Sequence, residues 1–124
     1  MSKKRALVQD DQAAIRSAAS SVLALYGFEV DCAEDGVQGM ELLKKNHYDI
    51  VFTDVEMPNM NGFEFLARAK RDPALKAIPI VMCTTLSQQD QIEKGRQLGA
   101  VSYIVKPMNK QTLERALKNA GLLA

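Results

Sequence analysis

Several residues that could bind a metal ion or a phosphate stand directly after short apolar runs of this sequence. Asp54 ends the strand-like run 49–54, and the Pro-, Asn- and Gly-rich loop 55–62 then stops any continuation of a strand. Asp54 is a candidate for chemistry because open parallel sheets bind ligands outside the carboxyl ends of their strands. The same position after an apolar run is held by Asp10, Asp11, Thr84 and Lys106.

The residue types at these positions suit phosphoryl transfer assisted by a divalent metal. Three carboxylates in one crevice raise one another's pKa unless a cation shares the site, so Asp10, Asp11 and Asp54 predict a metal site. Mg²⁺ is expected because it prefers oxygen ligands, while no His or Cys stands at these positions for zinc. With the Lys106 ammonium on the other side, the Asp54 carboxylate is predicted to attack a phosphorus atom.

These residues come together only if the strands that precede them lie in one parallel sheet. Five apolar runs alternate with five stretches of helical periodicity along the chain. The short connections between them imply right-handed crossovers, parallel strands and helices on both faces of the sheet. We therefore predict an α/β fold of the flavodoxin-like doubly wound class, with five strands in the order 2-1-3-4-5.

The same patterns predict approximate bounds for the elements. The strands are expected at 5–9, 28–33, 49–54, 78–83 and 101–105, and two of the helices at 12–26 and 88–98. Buried helix positions are expected at Ile15, Ala18, Ala19, Val22, Tyr26, Val37, Met40, Leu43, Phe63, Leu66, Ala67, Leu113, Ala116, Leu117 and Ala120. The helix 88–98 has only Ile92 and Leu98 as large apolar residues, so we expect it to pack lightly and to be able to move.

The composition is typical of one ordinary globular domain, which we expect to span residues 1–124. The 47% apolar and 25% charged residues fit a soluble protein, and no apolar run approaches the roughly 18 residues of a membrane helix. With 16 Lys and Arg against 15 Asp and Glu, direct binding of nucleic acid is disfavoured. A secretory signal is not apparent, so a cytoplasmic location is expected. Cys32 and Cys83 are expected to be buried and without function.

As an ordered set, these residues resemble the receiver domain of two-component response regulators, and most of all its single-domain chemotaxis type. The resemblance runs from about Lys4 to the end of the chain. Each residue of the set is weak on its own, and the complete set is specific. It consists of Asp10-Asp11, Asp54 with Met57-Pro58 and Gly62, Thr84, and Tyr103 shortly before Lys106-Pro107.

The resemblance implies a chemical role for each matching residue. Asp54 would accept the phosphoryl group, and Asp10 and Asp11 would form the acidic pair for Mg²⁺, with Asp11 as the direct ligand. The main-chain carbonyl of Glu56 would complete the protein's share of the metal shell. Lys106 would bind one phosphoryl oxygen.

The resemblance also implies a switch and its partners. Thr84 would move to bond a phosphoryl oxygen, and Tyr103 would turn inward in response; a core or interface role explains Tyr103 equally well. A histidine kinase or a small phosphodonor would supply the phosphoryl group, and a downstream protein would bind the face formed by helix 4, strand 5 and helix 5. The family further suggests a cis peptide bond before Pro107.

Some positions depart from the family's usual pattern. Gln9 stands where an aliphatic residue is common, Thr85 where alanine is usual, and Met108 where phenylalanine often follows Lys-Pro. None of these is expected to touch the chemistry directly. Glu56 and Leu86 fall where the family sets the lifetime of the phosphoryl group, and the sequence does not predict that lifetime.

Other functions remain as alternatives to a signalling switch, which is not a classical enzyme because it catalyses only its own phosphorylation and dephosphorylation. A phosphorelay intermediate, or a receiver excised from a multidomain regulator, would carry the same residues. An aspartyl-phosphate phosphatase of the haloacid-dehalogenase type needs a second Asp where this chain has Glu56. A docking module that has lost phosphorylation would have no reason to keep the complete set.

Overall fold

Strands and helices alternate throughout the molecule, as the sequence predicts. The computed structural model describes residues 3–85 and 89–123. The strands are β1 (Arg5–Gln9), β2 (Glu29–Ala33), β3 (Ile50–Asp54), β4 (Ile80–Thr84) and β5 (Ser102–Val105). The helices are α1 (Ala13–Leu25), α2 (Gly36–Lys45), α3 (Gly62–Arg71), α4 (Gln89–Gln97) and α5 (Lys110–Asn119). The predicted ends differ from these by at most two residues, and Gln88 of the predicted fourth helix lies outside the described residues.

The five strands form one parallel sheet in the order β2-β1-β3-β4-β5, which confirms the predicted flavodoxin-like topology. β1 and β3 lie side by side near the centre, with Gln9 opposite Thr53. On the other side of β3, Asp54 lies opposite Cys83 of β4. Because all strands run in the same direction, their carboxyl ends meet at one edge of the sheet.

Each face of the sheet is covered by its own apolar cluster. Helices α1 and α5 cover the face that includes Val8 and Phe52, and α2 and α3 cover the face that includes Leu7 and Val51. β3 and β4 are buried along their whole length, which explains why their sequences are continuous apolar runs. Full burial of a side chain such as Phe52 contributes about 1.5–3 kcal/mol to stability.

The start of α2 and of α3 is fixed by side chains that cap the helix. Asp35 accepts a hydrogen bond from the main-chain N–H of Gln38 at 2.9 Å, and Asn61 accepts one from Glu64 at 2.9 Å. Such caps satisfy N–H groups that have no partner inside the helix. Both caps lie on the side of the sheet where β2 and β3 end, so they fix the loops at that edge.

The exposed position of two predicted core residues corrects the sequence analysis. Val37 is 41% exposed, because the buried stripe of α2 runs through Gly36, Gly39 and Leu43 instead. The glycines allow the helix to approach the sheet closely, and this turns Val37 toward solvent. Ala18 is also exposed, because Ala19 and Leu23 carry the buried face of α1.

The two cysteines differ from one another. Cys83 lies in the buried strand β4, where burial raises the pKa of its thiol. Cys32 is exposed, so its predicted burial is wrong. The reason is that Cys32 belongs to β2, an edge strand that neighbouring elements cover only in part.

Helix α4 packs lightly, as the sequence predicts. Gly95 is the buried residue of this helix. The Lys94 ammonium lies 4.6 Å from the centre of the ring of Phe63, which belongs to α3. A helix that buries so little apolar surface is held less firmly than its neighbours. In the part of the chain that the structure describes, none of the helices has the length and apolar composition needed to cross a bilayer.

Candidate functional site

The carboxyl ends of β1, β3 and β5 bring the predicted acidic and basic residues together. One carboxylate oxygen from each of Asp10, Asp11 and Asp54 lies within 4.8 Å of the others. The Lys106 ammonium is 2.6 Å from Oδ2 of Asp10 and 3.3 Å from Oδ1 of Asp54. A cavity of about 250 Å³ opens at this point, lined by Asp11, Gln12, Ile15, Asp54, Glu56, Thr84, Thr85 and Lys106.

The two acids at the end of β1 differ in their surroundings. Asp10 is fully buried, and its Oδ1 accepts a hydrogen bond from the Gln12 main-chain N–H at 2.9 Å while Oδ2 contacts Lys106. Asp10 therefore also fixes the start of α1, where the Gln12 side chain makes no cap. Asp11 is exposed and lines the cavity. Of the two, Asp11 is the carboxylate that is available to a ligand entering from solvent.

Asp54 lies in surroundings that disfavour its negative charge. It is 8% exposed, and burial followed by the nearby Asp10 carboxylate raises its pKa, against the opposing effect of Lys106. The Lys106 ammonium remains protonated: burial acts to lower its pKa, but contacts with Asp10 and Asp54 outweigh burial and raise it. Three carboxylates against one ammonium leave an excess of negative charge, and oxygen donors with this charge fit a hard divalent cation.

The loop after Asp54 must pass very close to the start of α3, and this explains Gly62. A Cβ atom at position 62 would collide with the main-chain oxygen of Asp54. The Gly62 N–H donates to the Val55 carbonyl at 2.8 Å, which closes the loop 55–61. Glu56 is exposed within this loop and lines the cavity.

The far side of the same loop is attached to α2. Asn59, which has a positive φ of 67°, donates from its side chain to Asp35 at 2.7 Å. The main-chain oxygen of Met60 accepts a hydrogen bond from Gly36 at 3.3 Å. Hydrogen bonds to Gln38 and then Asn59 lower the pKa of Asp35. Asp35 is therefore ionised at neutral pH and holds the loop in place.

The two predicted switch residues lie on neighbouring strands, Thr84 at the end of β4 and Tyr103 near the start of β5, opposite Met82. Thr84 is 2% exposed and lines the cavity, and its main-chain oxygen accepts the Lys106 N–H at 2.7 Å. The Tyr103 hydroxyl oxygen is buried in this structure. It makes no hydrogen bond of good geometry within residues 3–85 and 89–123. Burial raises the pKa of Tyr103, while the Thr84 side chain acts to lower it. Leu86 lies outside the described residues.

Tyr103 does not line the acidic cavity. It contributes to a separate cavity of about 170 Å³, lined by Ile92, Arg96, Ala100, Val101, Ser102 and Tyr103. Nearby, the peptide bond between Lys106 and Pro107 is cis, as the resemblance implies. Met108 is buried in the cluster under α1 and α5, so it serves the apolar core rather than the site.

The sequence analysis missed a buried polar pair beside the site. Gln9 donates from its side-chain amide to the Thr53 hydroxyl at 2.9 Å, and Thr53 donates to the main-chain oxygen of Asp54 at 3.0 Å. The available signal was Gln9 itself, a polar residue at an aliphatic position of a central strand. Thr53 gave no signal, because threonine is common in strands.

A family model and two known proteins are similar to this chain over most of its length. A family model described as the response regulator receiver domain matches residues 6–118. Chemotaxis protein CheY-3 of Vibrio cholerae is 36% identical over 112 residues, which cover 90% of this chain and 86% of that protein. The probable transcriptional regulator ycf27 of Porphyridium aerugineum is 33% identical over 119 residues, or 96% of this chain. The chain spans about half of that regulator, 48% of its length.

Solved structures of similar fold lead to the same family. The chemotaxis response regulator CheY4 of Vibrio cholerae superposes with a TM-score of 0.89 at 34% identity, over 96% of this chain and 99% of that one. The Mn²⁺-bound form of response regulator Rcp1 gives a TM-score of 0.78 at 25% identity, over 96% and 91% of the two chains.

Proposed function

The chain belongs to the response regulator receiver domain family, and on that premise we propose that it is a phosphorylation-controlled switch that accepts a phosphoryl group on Asp54. Receiver domains are signalling modules of two-component systems rather than classical enzymes. One observation carries the proposal: the Asp54 carboxylate lies 3.3 Å from the Lys106 ammonium and within 4.8 Å of carboxylate oxygens of Asp10 and Asp11.

In the proposed reaction, an Asp54 carboxylate oxygen attacks the phosphorus of a phosphohistidine or a small acyl phosphate. A new bond forms between phosphorus and this oxygen, and the bond to the donor breaks with its electron pair remaining on the donor. The Lys106 ammonium offers a hydrogen-bond donor to a phosphoryl oxygen, and the Thr84 hydroxyl would bond another. The Asp54 carboxylate lines the cavity, from which a phosphodonor can reach it.

The oxygen donors of the site suit Mg²⁺ as the cofactor. Asp10, Asp11 and Asp54, together with the main-chain carbonyl of Glu56, would hold it, with Asp11 as the exposed acid that meets it first. When bound, Mg²⁺ would neutralise the excess negative charge of the carboxylates and of the incoming phosphoryl oxygens.

The proposed output is altered binding of a downstream protein at the face formed by α4, β5 and α5. Val101 and Val105 are 41% and 38% exposed on this part of the molecule, and α4 is held lightly beside them. Movement of Thr84 toward a phosphoryl group, with a response of Tyr103, would change this face. A chemotaxis partner is the leading candidate because the relative CheY-3 is a chemotaxis protein.

The direct test is intact-mass analysis after incubation with acetyl phosphate and Mg²⁺. The wild-type protein should gain the mass of one phosphoryl group, and Asp54→Asn should gain none. Asp49→Asn is the matched control, because Asp49 directly precedes β3, far from the end that carries Asp54, and should not affect labelling. Equal labelling of wild type and Asp54→Asn would refute the assignment, and rapid turnover of a phosphomonoester would favour a phosphatase instead.

A further inference from the structure

A buried polar pair lies directly behind Asp54 and has no part in the proposed transfer. Gln9 and Thr53 face one another across β1 and β3, and their exposed fractions are 1% and 0%. Gln9 Nε2 donates to Thr53 Oγ1 at 2.9 Å, so the hydroxyl hydrogen remains for the main-chain oxygen of Asp54 at 3.0 Å. The Met57 sulfur at 3.9 Å is a weaker acceptor for the same hydrogen.

The buried polar pair is unfavourable for the stability of the fold. Gln9 Oε1 is buried and has no hydrogen-bond partner among the described residues, and such an unpaired oxygen is unfavourable in a protein interior. Helix α2 also has to make room for it, since a Cβ atom at Gly39 would collide with the Gln9 side-chain oxygen. Glycine within a helix is itself unfavourable. An aliphatic residue at position 9 would avoid the unpaired oxygen.

The pair acts on the peptide group between Asp54 and Val55. Its oxygen accepts the Thr53 hydrogen bond and is closely approached by Gly62, where a Cβ atom would collide with it. Its N–H donates to the Cys83 main-chain oxygen at 3.2 Å. The peptide group is thus held at both ends. Rotation of this group would displace the Asp54 carboxylate and, further along the loop, the main-chain carbonyl of Glu56.

We propose that Gln9, acting through Thr53, is a positioning residue for phosphoryl transfer to Asp54. The pair fixes the Asp54–Val55 peptide group, and with it the direction of the Asp54 carboxylate and of the Glu56 carbonyl. The inference rests on the proposed function, because it assigns a task within that reaction. Neither residue touches the phosphoryl group. Groups that orient a site from behind typically change affinity or activity by about 10- to 100-fold when they are removed.

The test is the double variant Gln9→Leu with Thr53→Val. Thr53→Val alone leaves the buried Gln9 amide without its acceptor and should lower the unfolding midpoint, whereas the double variant replaces both side chains by apolar groups and should recover most of it. The rate of labelling by acetyl phosphate with Mg²⁺, per folded molecule from far-UV circular dichroism, should nevertheless stay about 10-fold below wild type. Thr53→Ser retains the hydroxyl and should restore most of the rate.

Tyr48→Phe is the control for a loss of stability alone. It removes a buried hydroxyl that donates to Asp31 at 2.7 Å. Tyr48 precedes β3 and lies away from the acidic cavity, so the labelling rate per folded molecule should not change. A double variant that labels at the wild-type rate would overturn the inference while leaving the proposed function intact. Absence of labelling in the wild-type protein would instead refute the proposed function.

Discussion

At the scale of the residue, Asp54 combines a buried position with a charge that its surroundings oppose. Burial and the Asp10 carboxylate raise its pKa, and the Lys106 ammonium compensates only in part. A carboxylate in such surroundings is stabilised by any cation or electrophile that neutralises its negative charge. The same surroundings that destabilise the ligand-free site thus favour its proposed chemistry.

The raised pKa of Asp54 predicts a pH dependence of stability. Just above the ordinary pKa of 3.8, Asp54 keeps its proton in the folded protein but has lost it in the unfolded chain. The free energy of unfolding therefore falls as pH rises through this window. The Asp54→Asn variant has a neutral side chain and avoids this loss of stability, so it should melt a few degrees higher than wild type at neutral pH. At acidic pH the two melting temperatures should converge. Thermal unfolding in EDTA across this range measures the difference.

The comparison with wild type cancels other titrating groups. Asp35 has a lowered pKa and so contributes the opposite trend, with stability lost as pH falls, but it is present in both proteins. A gap in melting temperature that stays constant from acidic to neutral pH would contradict the prediction.

At the scale of the element, two helical glycines have opposite environments. Gly39 of α2 has no room for a methyl group, because a Cβ atom would collide with the Gln9 side chain. Gly95 of α4 has room, because a Cβ atom would lie 3.4 Å from Met82 and 3.6 Å from Tyr103, in ordinary contact. Packing therefore requires glycine at position 39. Glycine at position 95 lowers the stability of α4 without such a packing reason.

Replacement of each glycine by alanine should therefore have opposite effects. Gly95→Ala should stabilise the protein by about 0.5–1 kcal/mol, because alanine has the higher helix propensity and makes new contacts. It should also slow hydrogen exchange of α4 amides. Gly39→Ala is the matched control and should destabilise, because the clashing Gln9 side chain is buried and hydrogen-bonded to Thr53, so moving it away breaks that bond. Denaturant unfolding measures both, and a destabilised Gly95→Ala would show that α4 lies closer to the sheet than described.

At the scale of the whole molecule, the edge where the strands end concentrates negative charge, and a cation there should stabilise the fold. Binding to the folded state alone contributes about 2.7 kcal/mol when the free ligand is at 100 times its dissociation constant. Mg²⁺ should therefore raise the melting temperature of wild type in a concentration-dependent way. Because it offsets the charge around Asp54, it should also reduce the pH dependence described above.

The acids of the site allow this effect to be assigned. Asp11→Asn should lose most of the stabilisation by Mg²⁺, since Asp11 is the exposed carboxylate of the group. Asp72→Asn, at the end of α3, removes the same charge elsewhere and should respond to Mg²⁺ like wild type. Equal responses of the two variants in thermal unfolding would show that the cation binds elsewhere.

The sequence by itself determined the topology and which charged residues converge at the edge of the sheet. Period and spacing identify five strands and five helices, and parallel strands must end at one edge, so Asp10, Asp54 and Lys106 had to converge once the strand order was known. Local patterns suffice here because burial on both faces imposes continuous apolar runs.

Only the tertiary structure decided how the side chains share that edge. Which acid is buried, why Val37 faces solvent and why Gly62 is needed depend on contacts between residues distant in sequence. The pair of Gln9 and Thr53 is the clearest case, because its 2.9 Å hydrogen bond joins two residues separated by 44 positions. Composition and periodicity record that a residue is polar or apolar, but the partner of a buried polar group is set by packing in three dimensions.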